Sequence, residues 1–247
     1  MPDQSTRHCL NCGAELHGDF CHECGQSARV KRLTFLETLQ DFFSSSFALE
    51  GPLFRTIRGL LANPGQLYRE YLGGKRKTYY KPVAFFILLT AIYIVVRSLI
   101  NYDSFGGNPP PSNGPENRRI FAEAAFYMVK NVNNILFFLV LSIGLFQKLF
   151  FYKRYNLTEY LTIGFYITGI YIVFGMLVAV FSTYVYQVNP QINLVILFLL
   201  LVYNAYSLHQ RKSFWSIVKY PIVSFLSIIG YMILGYGFSL LIVYLRS

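Results

Sequence analysis

The arrangement of four cysteines constrains this chain more than any other feature. They are the only cysteines in 247 residues, and they form two C-x-x-C-G knuckles: Cys9, Cys12, Cys21 and Cys24. Two knuckles this close together are typical of a zinc site, whereas a single C-x-x-C is not. We therefore predict a small zinc ribbon over residues 1–30, with Zn²⁺ held by all four thiolates. A site in which a nearby histidine replaces one thiolate is the alternative.

The remainder of the chain is unusually apolar. Hydrophobic residues make up 54% of the sequence and charged residues only 14%, where a soluble domain has about 25% charged residues. A helix needs roughly 20 apolar residues to cross the hydrocarbon core, and five segments come close to that length. We predict an all-α integral membrane protein with five transmembrane helices in residues 82–247. The predicted spans are residues 83–100, 134–151, 160–184, 192–208 and 221–244.

The lysines and arginines are distributed unequally between the two sides of these spans. Eleven precede the first span, three lie at the end of the second span and just after it, and three lie between the fourth and fifth, so 17 of 22 share one side. Basic residues mark the cytoplasmic side, which predicts a cytoplasmic N-terminus and an outside C-terminus. The cytoplasm is reducing, which favours metal binding over disulfides for the four thiols.

Residues 31–81 connect the ribbon to the first span and carry helical patterns of apolar residues. Thr34 and Glu37 form the pattern of a capping box, and the motif Asn63-Pro64-Gly65 separates two further short helices. Amphipathic helices with basic polar faces commonly lie in the membrane interface. The alternative is that they pack on one another as a small cytoplasmic domain.

A basic anchor abuts the first span and contains Lys75, Arg76, Lys77 and Lys81. Each lysine or arginine at a membrane surface contributes about 1 kcal/mol toward binding anionic lipid. We predict that these four residues contact anionic headgroups of the lipid bilayer. The simpler alternative is a plain positive-inside anchor with interfacial tyrosines. Nucleic acid is not an expected partner, because the basic residues crowd toward the membrane rather than the ribbon.

The ordered motifs from Cys9 to Pro82 resemble the domain of unknown function 3667 family of bacterial membrane proteins. The matching residues are Cys9, Cys12, Cys21, Cys24, Gly25, Gln26, Thr34, Phe35, Thr56, Pro64, Gly65, Tyr71, Gly73, Lys75, Arg76, Tyr80 and Pro82. The resemblance implies a bacterial inner membrane and no catalytic residues. The layout is also similar to that of Yip-type five-span membrane proteins.

Two functions are compatible with these features. Four thiolates fill every coordination position of zinc, and no acid–base pair lies within the spans, so we expect no enzyme. The leading prediction is a non-enzymatic membrane protein whose ribbon is an adaptor for a protein partner or the membrane surface. The alternative is a small transporter or lipid-handling protein that acts as an oligomer. For this alternative, glycines in the third and fifth spans would let helices pack closely, within one chain or across a homo-oligomer.

Overall fold

The computed structural model describes residues 8–30, 51–102, 116–210 and 214–246. These residues form eight helices and two isolated β-bridges, without a strand, in agreement with the all-α prediction. The predicted helix that begins at Thr34 lies outside the described residues. The helices are α1 (Pro52–Ala62), α2 (Pro64–Leu72), α3 (Pro82–Leu99), α4 (Glu116–Lys130), α5 (Val132–Phe150), α6 (Leu157–Tyr184), α7 (Ile192–His209) and α8 (Phe214–Tyr244).

Prolines and one asparagine set the bounds of the two short helices. Pro52 and Pro64 lie in the first turn, where the missing N–H costs no helical hydrogen bond. Asn63 ends α1 and caps α2, since its Oδ1 accepts a hydrogen bond from the Gln66 N–H at 3.2 Å. Each helix buries one face, with these residues: Leu53, Thr56, Leu60, Leu67, Tyr68 and Tyr71.

The buried faces of α1 and α2 pack on the long helices. α1 contacts α2 and α6, and α2 contacts α7. Residues 51–72 are therefore packed on one end of the bundle, and their place in the membrane interface stays a prediction.

Four helical segments are long and apolar enough to cross a membrane: α3, α6, α7 and Ile217–Tyr244 within α8. They correspond to the predicted first, third, fourth and fifth spans. The predicted second span falls in α5, which qualifies only together with α4: Arg119–Lys130 and Ile135–Phe150 form a pair bent by 87°. The described residues thus supply four candidate spans, or five if the bent pair counts as one.

Two helices begin earlier than the hydropathy pattern predicts. α6 begins at Leu157 because Asn156 and Glu159 form a capping box, each side chain accepting the other's backbone N–H at 2.7 Å. α8 begins at Phe214 and continues through Pro221, which we had expected to start the fifth span. The polar first turn of α6 lies outside its apolar run, which explains the first difference. In α8, Lys219 and Pro221 interrupt the apolar pattern, but the helix continues through both.

Close approach at glycines holds the long helices together. At four of the six glycines noted in the third and fifth spans, a Cβ would lie 2.5–3.1 Å from an atom of a neighbouring helix. These four are Gly164, Gly169, Gly230 and Gly235. The other two, Gly175 and Gly237, face open space. Most of this pattern is therefore used for packing within one chain.

The helix termini gather at two ends of the bundle. At one end, the Arg154 guanidinium donates to the carbonyl oxygen of His209 at 2.7 Å, and the His209 ring stacks on Phe151 at 3.8 Å. We call this the ribbon end, because the cysteine knuckles lie beside it; the opposite end is the far end. The termini predicted to face the cytoplasm all lie at the ribbon end, and the orientation in a membrane stays a prediction.

Candidate metal centre and its attachment to the bundle

The four cysteine sulfurs form one compact cluster. All four Sγ atoms lie within 4.8 Å of one another; Cys9 and Cys24 are 3.6 Å apart, and Cys12 and Cys21 are 3.5 Å apart. In a tetrahedral site with Zn–S bonds of about 2.3 Å, neighbouring sulfurs are roughly 3.8 Å apart. The four free thiols therefore fit a tetrahedral metal ion without rearrangement of the backbone.

Local backbone geometry turns each knuckle toward the cluster. The N–H of Gly13 donates to the carbonyl of Cys9, and the N–H of Gly25 donates to that of Cys21, both at 2.8 Å. Both glycines have positive φ, +82° and +66°, a conformation that other residues adopt at a cost. The same five-residue turn is thus used twice, and it directs the paired thiols inward.

The thiols of the cluster differ in acidity. Burial raises the pKa of the Cys9 thiol, but hydrogen bonds from the backbone of Cys12 and Asn11 and from neighbouring thiols outweigh burial and lower that pKa to about 7. A backbone hydrogen bond from Ala14 lowers the pKa of Cys12, while desolvation and the three other thiols raise it, to about 12 overall. A thiolate at Cys9 opposes ionisation of the neighbouring Cys12, and a bound cation would relieve this opposition.

The histidines of the ribbon lie outside the cluster. The rings of His17 and His22 are 6.0 Å apart, and His22 Nε2 is 3.5 Å from Glu23 Oε1. His8 Nδ1 lies 3.2 Å from the carbonyl oxygen of Gly13. Within the described ranges, the group of side chains able to share a metal contains the four cysteines alone. The geometry therefore favours the all-cysteine ligand set.

Each knuckle contributes one amide side chain that binds residues 73–81, which we call the basic loop. Asn11 Oδ1 accepts from the N–H and the hydroxyl of Thr78, at 3.0 and 2.7 Å. The Gln26 side chain donates to the carbonyl of Gly74 at 2.7 Å. Its Oε1 accepts from the N–H groups of Arg76 and Lys77, at 3.1 and 3.3 Å. Ribbon and basic loop therefore form one structural unit.

Gly74 makes this contact sterically feasible. Its φ of +119° lies in a region that L side chains rarely adopt, and a Cβ there would lie 2.8 Å from Leu10 Cδ1. The same Cβ would lie 3.4 Å from Val30 Cγ1. Leu10 and Val30 thus pack directly on the loop backbone, which adds apolar contact to the amide hydrogen bonds.

The structure brings the four predicted lipid-contact residues together in the basic loop. Lys75 Nζ lies 3.4 Å from Glu70 Oε2 of α2, so part of its charge is balanced within the protein. Lys77 is exposed, while Arg76 and Lys81 are half-buried. Contact with anionic headgroups stays a prediction for these residues.

Glu70 is held as a carboxylate by its neighbours. Hydrogen bonds from Gln66 at 3.0 Å and Tyr79 at 2.8 Å, together with Lys75, lower the pKa of Glu70 although burial raises it. Burial and the hydrogen bond to Glu70 raise the pKa of Tyr79 to about 12. Lys75 and Tyr79 of the basic loop are thus both tied to the same carboxylate of α2.

The basic loop continues into the bundle through Tyr80. Its N–H donates to Thr56 Oγ1 of α1 at 2.8 Å, and its carbonyl accepts the hydroxyl of Tyr166 of α6 at 2.6 Å. Tyr166 is buried among the rings of Tyr68, Tyr71 and Phe85. Polar contacts therefore connect the knuckles, through the basic loop, to Tyr166 in the first half of α6.

The Asn63-Pro64-Gly65 motif docks α2 on the C-terminus of α7. A Cβ on Gly65 would lie 1.9 Å from the carbonyl oxygen of Ser207, so only glycine fits. The Gly65 N–H donates to Ser207 Oγ at 2.9 Å, and Arg69 donates to the Ser207 carbonyl at 3.1 Å. With Arg154 on the carbonyl of His209, two arginines satisfy the last carbonyls of α7 and complement its dipole.

Polar side chains of α7 also serve this contact. Asn204 Oδ1 accepts the hydroxyl of Tyr68 of α2. The Tyr203 hydroxyl donates to the carbonyls of Leu61 and Ala62, at 3.1 and 3.0 Å. These side chains of α7 therefore bind the two short helices, α1 and α2.

The comparisons with known proteins match one part of this assembly. Residues 50–94 match the model of a family described as a protein of unknown function (DUF3667). The matched residues include α1, α2, the basic loop and the first part of α3, while the ribbon precedes them. Neither the curated proteins nor the solved structures contain a match. The resemblance to the DUF3667 family, first drawn from the motifs, is therefore confirmed for residues 50–94 of this chain.

Proposed function

We propose that this chain is a non-enzymatic, multi-pass protein of the bacterial inner membrane whose cytoplasmic zinc ribbon is an adaptor. The single observation that carries this proposal is the pair of amides, Asn11 and Gln26, that fasten the ribbon to the basic loop. A ribbon fixed in this way presents its outer surface at a constant distance from the membrane, as an adaptor requires.

The proposed ion is structural. Zinc would hold the two knuckles together, because residues 8–30 are too few to be stabilised by burial of apolar surface. Four thiolates complete a tetrahedral shell, whereas a catalytic zinc keeps one position open for water or substrate. The residues present therefore support a role in shape and not in chemistry at the metal.

The adaptor has two surfaces with different partners. The surface away from the basic loop carries exposed His22, Glu23 and Phe20, the last with 68% of its area exposed. An aromatic residue among polar groups suits a protein partner. The basic loop, with Lys77 exposed, suits the anionic headgroups of the adjoining bilayer.

A double variant that leaves the thiolates intact tests this proposal. Asn11→Ala with Gln26→Ala should keep one zinc per chain by elemental analysis, while hydrogen exchange of residues 73–80 accelerates. Crosslinks from the ribbon to its partner in native membranes should be lost. His17→Ala, in the same ribbon but outside the contact with the loop, is the matched control.

Two results would oppose the adaptor proposal. The first is wild-type protein purified without zinc, and the second is an unchanged set of crosslinks in both the double variant and Cys9→Ser with Cys21→Ser.

A second candidate is a small transporter or lipid-handling protein that acts as an oligomer. A cavity of about 300 Å³ between the far halves of the long helices favours it. Native mass spectrometry of the full chain should then show more than one subunit together with bound lipid. A bare monomer would count against this candidate.

A further inference from the structure

The ribbon end of the bundle has a second concentration of positive charge, apart from the basic loop. Residues 150–154, His209 and Lys219 line a pocket of about 250 Å³, which we call the cationic pocket. They come from the end of α5, the loop before α6, the last residue of α7 and the first part of α8. Three of them, Lys153, Arg154 and Lys219, are basic. The fold therefore joins cations from two distant parts of the sequence.

No acidic side chain among the described residues balances these three charges. The described lining of the pocket contains neither aspartate nor glutamate, and the ion pairs within the described ranges leave out Lys153, Arg154 and Lys219. Glu159 is the acid nearest to Arg154 along the chain. It is buried, lies outside the lining and accepts the N–H of Asn156 at 2.7 Å. Like charges without a counter-charge repel one another, and an anionic ligand would relieve this repulsion.

Neutralisation of helix C-termini accounts for only part of this charge. Cations stabilise the last carbonyls of a helix, and Arg154 has that role at His209. Lys148, outside the pocket lining, has it after α5, since its Nζ donates to two carbonyls of the following loop at 2.7 and 3.0 Å. Lys153 and Lys219 are exposed and make no such bond within the described part of the chain. Their charges are therefore available to a ligand.

Three stacked rings support the cationic pocket. Phe151 stacks on His209 with ring centroids 3.8 Å apart, and the Tyr220 ring lies nearly parallel to that of His209 at 6.0 Å. His209 and Tyr220 are both buried. The His209 carbonyl holds the Arg154 guanidinium at 2.7 Å through one of its five N–H donors. A guanidinium fixed in this way is a preorganised group for binding phosphate oxygens.

The size and the surroundings of the cationic pocket restrict the ligand further. About 250 Å³ is room for about eight water molecules at ~30 Å³ each, which suits a small anionic group. The neighbouring side chains of Leu149, Tyr152 and Trp215 are exposed. In the proposed membrane setting, aromatic side chains lie at the boundary between headgroups and acyl chains. An anionic headgroup in the pocket could therefore continue into chains outside it.

We propose that the cationic pocket binds a phosphate group, carried by an anionic lipid or by a free phosphate. Arg154 donates hydrogen bonds to the phosphate oxygens, while Lys153 and Lys219 supply the counter-charge. The exposed aromatic and aliphatic rim favours the lipid as the source. This inference rests on the proposed membrane setting and adds a site to the one proposed at the basic loop. It is independent of the zinc ribbon, so either can fail while the other stands.

Trp215 can report on lipid beside the pocket. It is the only tryptophan of the chain, and it lies one helical turn before Lys219 on the same face of α8. Its fluorescence is measured in phosphatidylcholine nanodiscs that contain increasing shares of brominated phosphatidylglycerol or brominated phosphatidylcholine, because bromine quenches tryptophan on contact. The wild-type chain should prefer phosphatidylglycerol by about 10- to 30-fold, the effect of roughly two basic residues at a membrane surface.

Two exposed lysines can be changed without altering the stacked rings. Lys153→Gln with Lys219→Gln should reduce the preference to about fivefold or less, because Arg154 is then the one described lining cation left. Arg55→Gln with Arg58→Gln is the matched control and should keep the wild-type preference. It removes the same charge from exposed side chains of α1, which packs at the same end of the bundle but outside the described lining.

A free phosphate is tested in discs of phosphatidylcholine alone. Inorganic phosphate is compared with sodium chloride at equal ionic strength, and acetylation of Lys153 and Lys219 is followed by mass spectrometry of their peptides. Slower acetylation of both lysines in phosphate would show that the pocket accepts a free phosphate. A preference for phosphatidylglycerol without this protection would assign the phosphate to a lipid.

Two results would overturn the proposal. The first is a wild-type chain with neither a preference for phosphatidylglycerol nor protection by inorganic phosphate, and the second is an equal loss of the response in the two double variants. Quenching by brominated phosphatidylcholine checks the membrane setting separately. Zinc content, measured in the same preparations, should be unchanged in all variants.

Discussion

The two ends of the bundle differ in how much of their contact is made by hydrogen bonds between elements. At the ribbon end, side chains from one element bind the backbone of another, as Gln26 does at Gly74, Tyr166 at Tyr80 and Arg154 at His209. Around the cavity of about 300 Å³ between the far halves of the long helices, apolar and aromatic side chains meet one another, and Asn193 Oδ1 has no partner among the described residues. The far end also has bonds of this kind, since Arg97 donates to the carbonyl oxygen of Lys130 and Tyr236 donates to that of Phe121, both at 3.2 Å.

This difference has a consequence for function. Hydrogen bonds to backbone fix both distance and angle, so a change in the ribbon alters the basic loop and the helices that hold it. Dispersion contacts are individually weak and tolerate a guest molecule in place of a neighbour. The ribbon end is therefore suited to holding a defined shape.

Removal of the metal should produce the largest difference between the two ends. Chelation, or Cys9→Ser with Cys21→Ser, removes a binding free energy that is about 10–16 kcal/mol in zinc-finger peptides, so residues 8–30 should lose their fold. Hydrogen exchange should then accelerate in the ribbon and in residues 73–80, while the long helices keep their protection at the far end. Retained protection of the ribbon amides under chelation would contradict this expectation.

Gly65→Ala should have the next largest effect. The added Cβ would lie 1.9 Å from the Ser207 carbonyl oxygen, which forces α2 away from α7 at a cost of about 1–3 kcal/mol or more. Thermal unfolding in detergent should show a clearly lower midpoint than the wild type. Gly51→Ala is the control, since its Cβ meets nothing within 4 Å; equal midpoints for the two variants would disprove the close contact.

Thr56→Val should destabilise the attachment of the basic loop by about 1–3 kcal/mol, because the buried N–H of Tyr80 loses its acceptor. Chemical denaturation and exchange of the Tyr80 amide measure the loss. Thr90→Val is the matched control. Thr56 donates to the carbonyl of Pro52 in its own helix at 2.7 Å, and Thr90 donates in the same way to that of Phe86 at 2.8 Å. No inter-element bond to Thr90 is formed within the described part of the chain. A similar loss in both variants would assign the effect to the helices alone.

The smallest effect concerns pH and Glu70. Its pKa is lower in the folded chain than the ordinary value of 4.5, so the charged form stabilises the fold above about pH 4.5 and this contribution falls as pH drops toward the lowered pKa. Glu70→Gln should therefore lower the unfolding midpoint at pH 7, and the difference from the wild type should shrink below pH 4.5. A difference that is constant down to pH 3 would show that Glu70 is not coupled to folding.

Local features of the structure follow closely from local features of the sequence. The two C-x-x-C-G knuckles bring four thiols together because each turn involves only five consecutive residues, with Gly13 and Gly25 at positive φ. Pro52, Asn63 and Pro64 mark helix bounds for equally local reasons. Apolar runs indicated the long helices. The polar first turn of α6 was left out because it lies outside the apolar run, and the bend before α5 was missed because hydropathy carries no information on direction.

What the sequence by itself determined is therefore the inventory: a four-thiol cluster, two short capped helices, a basic loop and several long apolar helices. Only the tertiary structure decided which parts meet, such as Gln26 with Gly74, Thr56 with Tyr80, Tyr166 with Tyr80 and Gly65 with Ser207. It also decided which glycines pack and which, like Gly175, border a cavity. The physical reason is that a knuckle, cap or apolar run is specified by neighbours along the chain, whereas these partners depend on the path of the whole backbone.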